Sequence, residues 1–187
     1  QYLYGTTDVT RTLSLGVSSS KIKKIFTRVL KGHIAVASYK INQNSNGDKI
    51  DKVARKPLKD IGLDYPHGTG HGVGSFLNVH EGPQGISRGN KVKFKEGMIT
   101  SNEPGFYKKN LFGIRIENLI YVKKIKNKLK FVNLTLVPID KSLVEKNHLT
   151  FSEKNWLNMY HKRVFENLKQ FMNKFQLIKL RQACSDI

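Results

Sequence analysis

The sequence of 187 residues is poor in cysteine and has no long apolar run. Its single cysteine, Cys184, cannot form a disulfide within the chain, and it excludes a zinc site built from several thiolates. Because this cysteine content suits a reducing compartment and no charged-then-apolar leader opens the chain, we expect a cytoplasmic protein. The apolar runs are interrupted by lysine or asparagine and are too short to cross a bilayer, so we expect no membrane partner.

Acidic residues are also scarce, with 14 Asp and Glu against 33 Lys and Arg, which gives a formal net charge of +19. Such a balance raises the question of nucleic-acid binding. The lysines, however, are spread through every segment and are not interleaved with aromatic residues, as a surface that stacks bases would require. We therefore expect a solvated basic surface and no nucleic-acid partner, and the few carboxylates become the more informative residues.

Several kinds of site leave signatures that are missing from this chain. No glycine-rich run ends in Gly-Lys-Ser/Thr, and the glycines of residues 68–74 do not fit the dinucleotide-binding fingerprint. The His-Glu-x-x-His of zinc proteases and the Gly-x-Ser-x-Gly of serine hydrolases are absent as well. A P-loop, a dinucleotide site and a serine nucleophile elbow are therefore unsupported.

The hydrophobic pattern predicts an α+β fold, with an antiparallel sheet, helices on one side of it and a helical tail. Helices are predicted to begin near residues 18–20, to run over 48–60, and to begin after a Thr150–Glu153 capping box and continue to residue 175. A hairpin is predicted at residues 9–15, and later strands at 98–103, 113–122 and 129–136. The alternating glycines of residues 68–74 instead indicate close backbone packing.

Polar residues that could perform chemistry lie in separate β segments; they are Asp8, His67, His71, His80, Glu103, Arg115 and Glu117. Carboxylates with imidazole suit divalent ions such as manganese, cobalt or zinc, and two bridging carboxylates would hold two ions about 3.5–4 Å apart. Simpler roles exist for each residue alone, since Glu117 could pair with Arg115, Asp8 could cap a turn and a single histidine is often structural. Spacing by itself therefore indicates only compatibility with a dinuclear metal site.

Five segments carry recognisable motifs, in this order: GTTDVTRT (5–12), HGTGHGVG (67–74), NVHEGP (78–83), NEPG (102–105) and GIRIEN (113–118). Together they resemble the aminopeptidase P family of Xaa-Pro aminopeptidases, which has the pita-bread metallopeptidase fold. The resemblance continues through LTLVPI (134–139) and WLNMYH (156–161) and so covers nearly the whole chain. It implies a catalytic domain over residues 1–140, with an antiparallel sheet flanked by helices, and a helical extension over residues 141–187 that could contribute to a homodimer.

The resemblance also implies a centre of two divalent metal ions, with manganese the expected metal. Asp8, His71, Glu103 and Glu117 match the family's ligands, and Asp8 and Glu117 match the two that bridge the ions. Glu103 further matches the carboxylate that acts as general base towards the bridging water.

Three more residues match family positions around the substrate. His80 resembles the histidine that steadies the scissile carbonyl, and His67 resembles a second histidine that lines the pocket. Arg115 resembles the arginine that supports the ligand cluster. The implied reaction removes the N-terminal residue from peptides that have proline in the second position.

One departure from the family pattern concerns the start of the chain. In the family, a further aspartate ligand lies in an Asp-Ser-Gly stretch shortly before the segment that matches residues 1–2, and a catalytic histidine and further domains lie upstream. We therefore expect these 187 residues to be an N-terminally incomplete part of a longer protein with four of the five ligands. The isolated chain is expected to be inactive or to fold poorly.

Alternatives remain within and beyond the family. Prolidases and methionine aminopeptidases share the fold and the ligand types, although the runs at residues 67–74 and 156–161 favour aminopeptidase P. A catalytically inactive pita-bread module that binds protein or RNA would suit the charge of +19. Such modules typically lose the ligands, whereas every ligand position within this chain is filled.

Overall fold

A computed structural model describes residues 1–187 of the chain. They divide into two compact units, the first formed by residues 1–11 and 28–135 and the second by residues 12–27 and 136–187. Helix α1 (Ser20–Ala37) contributes residues to both units. No helix of the structure combines the length and the apolar character that crossing a membrane requires.

The first unit is built around a four-stranded antiparallel sheet. Besides part of α1 it contains α2 (Gly47–Lys59) and the strands β1 (Lys40–Ile41), β2 (Gly70–His71), β3 (Gly85–Ile86), β4 (Ile99–Asn102), β5 (Gly105–Lys108), β6 (Phe112–Arg115), β7 (Asn118–Ile125) and β8 (Lys128–Asn133). The order of strands in the main sheet is β1-β8-β7-β4, while β2 pairs with β3 and β5 pairs with β6. The antiparallel sheet expected from the sequence is therefore confirmed.

One apolar cluster joins the helices of this unit to the sheet. It contains Val36 of α1, Ile50 of α2 and Ile120 and Phe131 of the sheet, all buried. Each such side chain contributes about 1.5–3 kcal/mol when it is fully buried. Val122 of β7 is buried, and because side chains alternate along a strand, Lys123 points to the opposite, exposed face.

Helix α2 forms close to its predicted bounds. The side chain of Asn46 accepts a hydrogen bond from the main-chain N–H of Lys49 and so caps the N-terminus. Ile50, Ala54 and Leu58 recur at a spacing of four and form its buried face.

The glycine-rich segment is extended and closely packed, as its composition predicted. It forms β2, which pairs with β3, and Gly72 forms a bridge to Thr100 of β4. A Cβ atom on Gly70 would lie 2.0 Å from the carbonyl oxygen of Ser101, so any larger residue would push the two backbones apart. This close approach brings the residue after Gly70, His71, near the end of β4.

The second unit contains helices α3 (Phe151–Leu168) and α4 (Lys174–Cys184). The Thr150–Glu153 capping box predicted from the sequence is present. The prediction of one continuous last helix is wrong, because a short 3₁₀ turn follows α3 and Asn173 begins a second capping box with Gln176. The apolar stripe that was predicted along one last helix ends at this turn, and Phe175 beyond it is 70% exposed.

Two strand predictions also need correction. Residues 9–15 do not form a hairpin; only Thr10 pairs in this segment, and it pairs with Glu117 over a hundred residues later. The predicted strand over residues 113–122 is divided into β6 and β7, because the chain changes partners between them: β6 pairs with β5, whereas β7 pairs with β4 and β8. Alternation along one segment does not reveal such a change of partner.

Candidate metal centre and active site

Four segments of the first unit bring the predicted metal ligands together. Asp8 lies in the segment before Thr10, His71 ends β2, Glu103 directly follows β4, and Glu117 lies between β6 and β7. The main-chain N–H of Glu117 donates to the carbonyl of Thr10, and the Thr10 hydroxyl donates to Glu117 Oε2 at 2.5 Å. This antiparallel contact places the Asp8 segment beside Glu117.

The donor atoms of these side chains converge on a small space. One donor atom each of Asp8, His71 and Glu117 lies within 4.8 Å of the others. His71 Nε2 is 3.3 Å from Asp8 Oδ2 and 3.3 Å from Glu103 Oε1. Two carboxylates and one imidazole therefore lie close enough together to hold a metal ion, and the third carboxylate, that of Glu103, contacts the imidazole.

The hydrogen bonding of His71 suits a metal ligand. Its Nδ1 lies 3.0 Å from the carbonyl oxygen of Gly72, which can only accept a hydrogen bond. In the neutral ring, Nδ1 therefore carries the proton, and the lone pair of Nε2 faces the carboxylates of Asp8 and Glu103. A lone pair directed at anionic oxygens is unfavourable unless a proton or a cation lies between them, so the geometry fits a bound metal ion.

The electrostatics of Glu117 agree with this fit. Its side chain is buried, and burial raises its pKa to about 7; the hydroxyl of Thr10 acts in the opposite direction, and the charges of Glu103 and Asp8 raise the pKa further. Such crowding of carboxylates disfavours the charged form in the absence of a cation. A divalent ion would reverse the balance, and carboxylates with imidazole are donors that manganese, cobalt and zinc accept.

Glu103 is held in place by contacts to both carboxylate oxygens. Ser101 Oγ donates to Oε1 at 2.9 Å, and Arg115 Nη1 lies 3.4 Å from Oε2. Its main-chain N–H donates to the carbonyl of Thr69 at 2.7 Å. Arg115 thus forms an ion pair with Glu103, whereas the sequence had suggested a pairing with Glu117.

A cavity of about 370 Å³ opens beside this cluster. Its lining includes His67, His71, His80, Glu103 and Arg115. The rings of His71 and His80 meet edge to face with centroids 4.2 Å apart. The structure thus brings all seven residues singled out in the sequence to one cavity and the carboxylate cluster beside it.

His67 is engaged at both ring nitrogens. Nδ1 lies 2.7 Å from the carbonyl oxygen of Gly68, so it donates, and Nε2 accepts from the hydroxyl of Tyr107 at 2.9 Å. Burial lowers the pKa of His67, and the positive charge of Arg115 lowers it further, against the effect of the Gly68 carbonyl. His67 therefore presents a neutral ring to the cavity at pH 7.

Tyr107 is a site residue that the sequence reasoning missed. Its hydroxyl accepts from Arg115 Nε at 2.7 Å and donates to His67, so it links two residues of the cavity wall. The available signal was weak: Tyr107 lies four positions after Glu103, and Gly105 between them pairs with Arg115 in the hairpin of β5 and β6. Recognising it required the pairing of this hairpin.

Comparison with known sequences agrees with the geometry. Residues 1–124 match the profile of metallopeptidase family M24, and residues 127–187 match the profile of its C-terminal region. Xaa-Pro aminopeptidase 1 of Dictyostelium discoideum is 48% identical over 183 residues, which is 93% of this chain and 29% of the relative. Aminopeptidase P2 of Arabidopsis thaliana is 46% identical over 182 residues, which is 92% of this chain and 26% of the relative.

Solved structures give the same picture for the fold. The X-prolyl aminopeptidase of Caenorhabditis elegans, a cytosolic enzyme with a di-nuclear active site, superimposes with a TM-score of 0.91 at 42% identity, over 98% of this chain and 32% of that one. The prolidase of Pyrococcus furiosus gives a TM-score of 0.61 at 30% identity, over 69% of this chain and 36% of that one. The chain thus spans about a third or less of the length of these relatives.

Proposed function

This chain belongs to metallopeptidase family M24, and we propose that it performs the catalytic chemistry of a metal-dependent Xaa-Pro aminopeptidase. The reaction removes the N-terminal residue from a peptide with proline in the second position. The observation that carries this proposal is the convergence of three carboxylates and the Nε2 atom of His71 beside a cavity. The similarity to aminopeptidases over more than nine-tenths of the chain supports it.

We propose that Asp8, His71, Glu103 and Glu117 would hold two divalent ions, with manganese as the metal and with Asp8 and Glu117 in the roles that the family resemblance gives them. When bound, such ions lower the pKa of a water molecule and stabilise negative charge on a carbonyl oxygen. The description of the C. elegans relative as di-nuclear supports two ions.

Glu103 is proposed as the group that moves the proton. Its carboxylate accepts a proton from the attacking water, whose oxygen forms the new bond to the scissile carbonyl carbon. The same proton then passes to the proline nitrogen as the C–N bond breaks, which gives a free amino acid and a peptide that begins with proline. Ser101 and Arg115 hold the carboxylate in orientation for both transfers.

The histidines bind and orient the substrate. His80 lines the cavity next to His71, where its ring can donate to the oxygen that becomes negative during attack. His67, kept neutral by burial, presents an uncharged surface to the substrate. Because a peptide bond to proline has no N–H, recognition depends on the shape of the ring rather than on a hydrogen bond from that nitrogen.

Two alternatives predict different behaviour. A prolidase-type dipeptidase would cleave only dipeptides, and the prolidase structure is less similar to this chain than the aminopeptidase structure is. An inactive module that binds protein or RNA would not need a complete ligand set, whereas all four ligand positions here are filled and brought together.

Further parts of the proposal concern the rest of the protein. We propose residues 1–140 as the metallopeptidase domain and residues 141–187 as its helical extension. We also propose a cytoplasmic homodimer that acts on peptides and neither on membranes nor on nucleic acids. The cytosolic relative supports the location, and exposed apolar side chains on the second unit, such as Phe151 at 88% and Met159 at 58% exposure, are compatible with a subunit contact. Light scattering of the complete protein would measure the oligomeric state.

The direct test of the role of Glu103 is a Glu103→Gln substitution in the complete protein. Release of the N-terminal residue from an Xaa-Pro peptide should fall at least about 100-fold, since general acid–base groups contribute that much. The matched control is Glu96→Gln, which changes an exposed glutamate of the same unit and should leave the rate unchanged. Full activity of Glu103→Gln would remove Glu103 from the reaction.

A further inference from the structure

A buried arginine lies behind the wall of the cavity, on α2. Arg55 is 5% exposed and its guanidinium makes four hydrogen bonds. It donates to Asp51 Oδ2 at 2.8 Å, to Asp64 Oδ1 at 2.7 Å, to the carbonyl of Tyr65 at 2.8 Å and to the carbonyl of His67 at 2.5 Å. Its central carbon also lies 4.1 Å from the centre of the Tyr65 ring.

These bonds organise the loop that carries His67. The chain between α2 and β2 has no strand partner, so its carbonyls must find other donors. Arg55 supplies donors to two of them, and the ring of Tyr65, which it covers, lies 5.0 Å from the ring of His67. The position of His67 in the cavity therefore depends on a residue that does not reach the cavity itself.

Asp51 extends the same network towards Glu103. Its second oxygen accepts from the hydroxyl of Thr69 at 2.6 Å, and the hydroxyl of Tyr65 contacts the same Thr69 oxygen at 2.5 Å. The carbonyl of Thr69 accepts the main-chain N–H of Glu103 at 2.7 Å. Asp51 is thus two hydrogen bonds and one residue away from the proposed general base.

A contribution to stability alone does not explain why this buried network of Arg55 and Asp51 is charged. The Asp51–Arg55 pair is almost fully buried, and apolar residues of similar size often stabilise a core as well as a buried ion pair does. Apolar residues would not hold the irregular backbone of residues 64–69 in a fixed geometry. The planar guanidinium of Arg55 can do so, because its several donors point in fixed directions.

We propose that Arg55 is a positioning residue that sets the orientation of His67 for catalysis. This inference rests on the proposed function only for its activity measurement. Arg55 is not among the residues that line the cavity beside the ligand cluster; it acts through the His67 carbonyl and the Tyr65 ring. Asp51 orients Arg55, but it also reaches Glu103 through Thr69, so its substitution would not report on His67 alone.

The test is a double-mutant cycle of Arg55→Lys and His67→Ala in the complete, manganese-loaded protein. Lysine keeps the positive charge but lacks the planar guanidinium with its several fixed donors. The kcat/KM on an Xaa-Pro peptide should therefore fall about 10- to 100-fold, mainly through kcat. The manganese content of the protein should stay unchanged. In the His67→Ala background, Arg55→Lys should cause little further loss. The matched control is Lys56→Gln, which breaks an exposed ion pair to Asp60 on the same helix and should leave kcat/KM unchanged.

A second readout does not depend on activity. The NMR chemical shifts of the His67 ring nitrogens should change in Arg55→Lys and stay unchanged in Lys56→Gln. If Arg55→Lys does not fold, Asp64→Asn removes a partly exposed partner of the same guanidinium and should show a smaller loss with the same dependence on His67.

Equal losses in the two backgrounds, or unchanged His67 resonances in a folded variant, would overturn the proposal. A wild-type protein that does not cleave Xaa-Pro peptides would instead overturn the proposed function, and the resonance measurement would still decide the role of Arg55.

Discussion

A histidine behind the proposed metal centre should make the stability of the protein sensitive to acid. His33 on α1 is completely buried, and its Nδ1 lies 3.2 Å from the carbonyl of Ile116, while its own carbonyl accepts from Asn102 Nδ2 at 3.0 Å. Burial lowers its pKa to about 3, and the charge of Arg11 acts in the same direction, against the Ile116 carbonyl. His33 thus joins the residues that directly precede Glu103 and Glu117, and it does so as a neutral ring.

The size and sign of the effect follow from linkage. A histidine in the unfolded chain has a pKa of about 6.5, so below that pH the unfolded state binds a proton that the folded state does not bind. The free energy of unfolding therefore falls as the pH is lowered from about 6.5 towards 3. At pH 5 the loss from this residue is about 2 kcal/mol, and at pH 7.5 it is close to zero.

The assay is urea unfolding of the complete protein at pH 7.5 and pH 5.0, for wild type and His33→Gln. Glutamine can still donate to the Ile116 carbonyl but does not titrate, so wild type should lose about 2 kcal/mol more than the variant between the two pH values. The exposed His148→Gln serves as the control and should behave like wild type. Equal losses in wild type and His33→Gln would show that His33 does not cause the sensitivity to acid.

Four further predictions concern the site and its support. Gly70→Ala should lower the free energy of unfolding by about 1–3 kcal/mol, because its Cβ would overlap a carbonyl oxygen of β4; an unchanged urea midpoint would contradict this. Chelation of the metal should lower the melting temperature, and manganese at 100 times its Kd should raise the free energy of unfolding by about 2.7 kcal/mol. Asp8→Asn should not show this gain, and an equal gain in that variant would exclude Asp8 as a ligand. Tyr107→Phe should lower kcat/KM about tenfold, since the proposed site loses a hydroxyl shared by a histidine and an arginine, and full activity would show that this hydroxyl is dispensable. Thr150→Ala should cost about 1 kcal/mol in denaturant unfolding through the lost cap of α3, while kcat/KM stays unchanged; a large loss of activity would contradict a purely structural cap.

Local signals in the sequence were sufficient for several elements whose cause is itself local, although the local capping box that begins α4 at Asn173 was missed. Helix α2 and the capping box at Thr150 depend on neighbouring residues, and both are present as predicted. The glycine run was likewise interpretable, because a side chain at Gly70 has no room. The convergence of Asp8, His71, Glu103 and Glu117 could be expected only through the family resemblance, since they come from four separate segments.

The two strand predictions that were wrong depend on distant partners. Alternation at residues 9–15 favoured a hairpin, yet Thr10 pairs with Glu117, whose position no local pattern reveals. Arg55 and Asp51 are four residues apart on a helix, a spacing that is also typical of exposed ion pairs. Only the packing of the loop over α2 buries them, and so their role could not be predicted before the fold was known.

Metal-dependent cleavage before proline is best tested on the complete protein with an Xaa-Pro peptide and an otherwise identical Xaa-Ala peptide. Release of the N-terminal residue is followed after removal of metal and again after addition of manganese. We expect release from the Xaa-Pro peptide only, and only with a divalent ion present. Absence of cleavage by folded, metal-loaded protein, or equal cleavage of both peptides, would contradict this expectation.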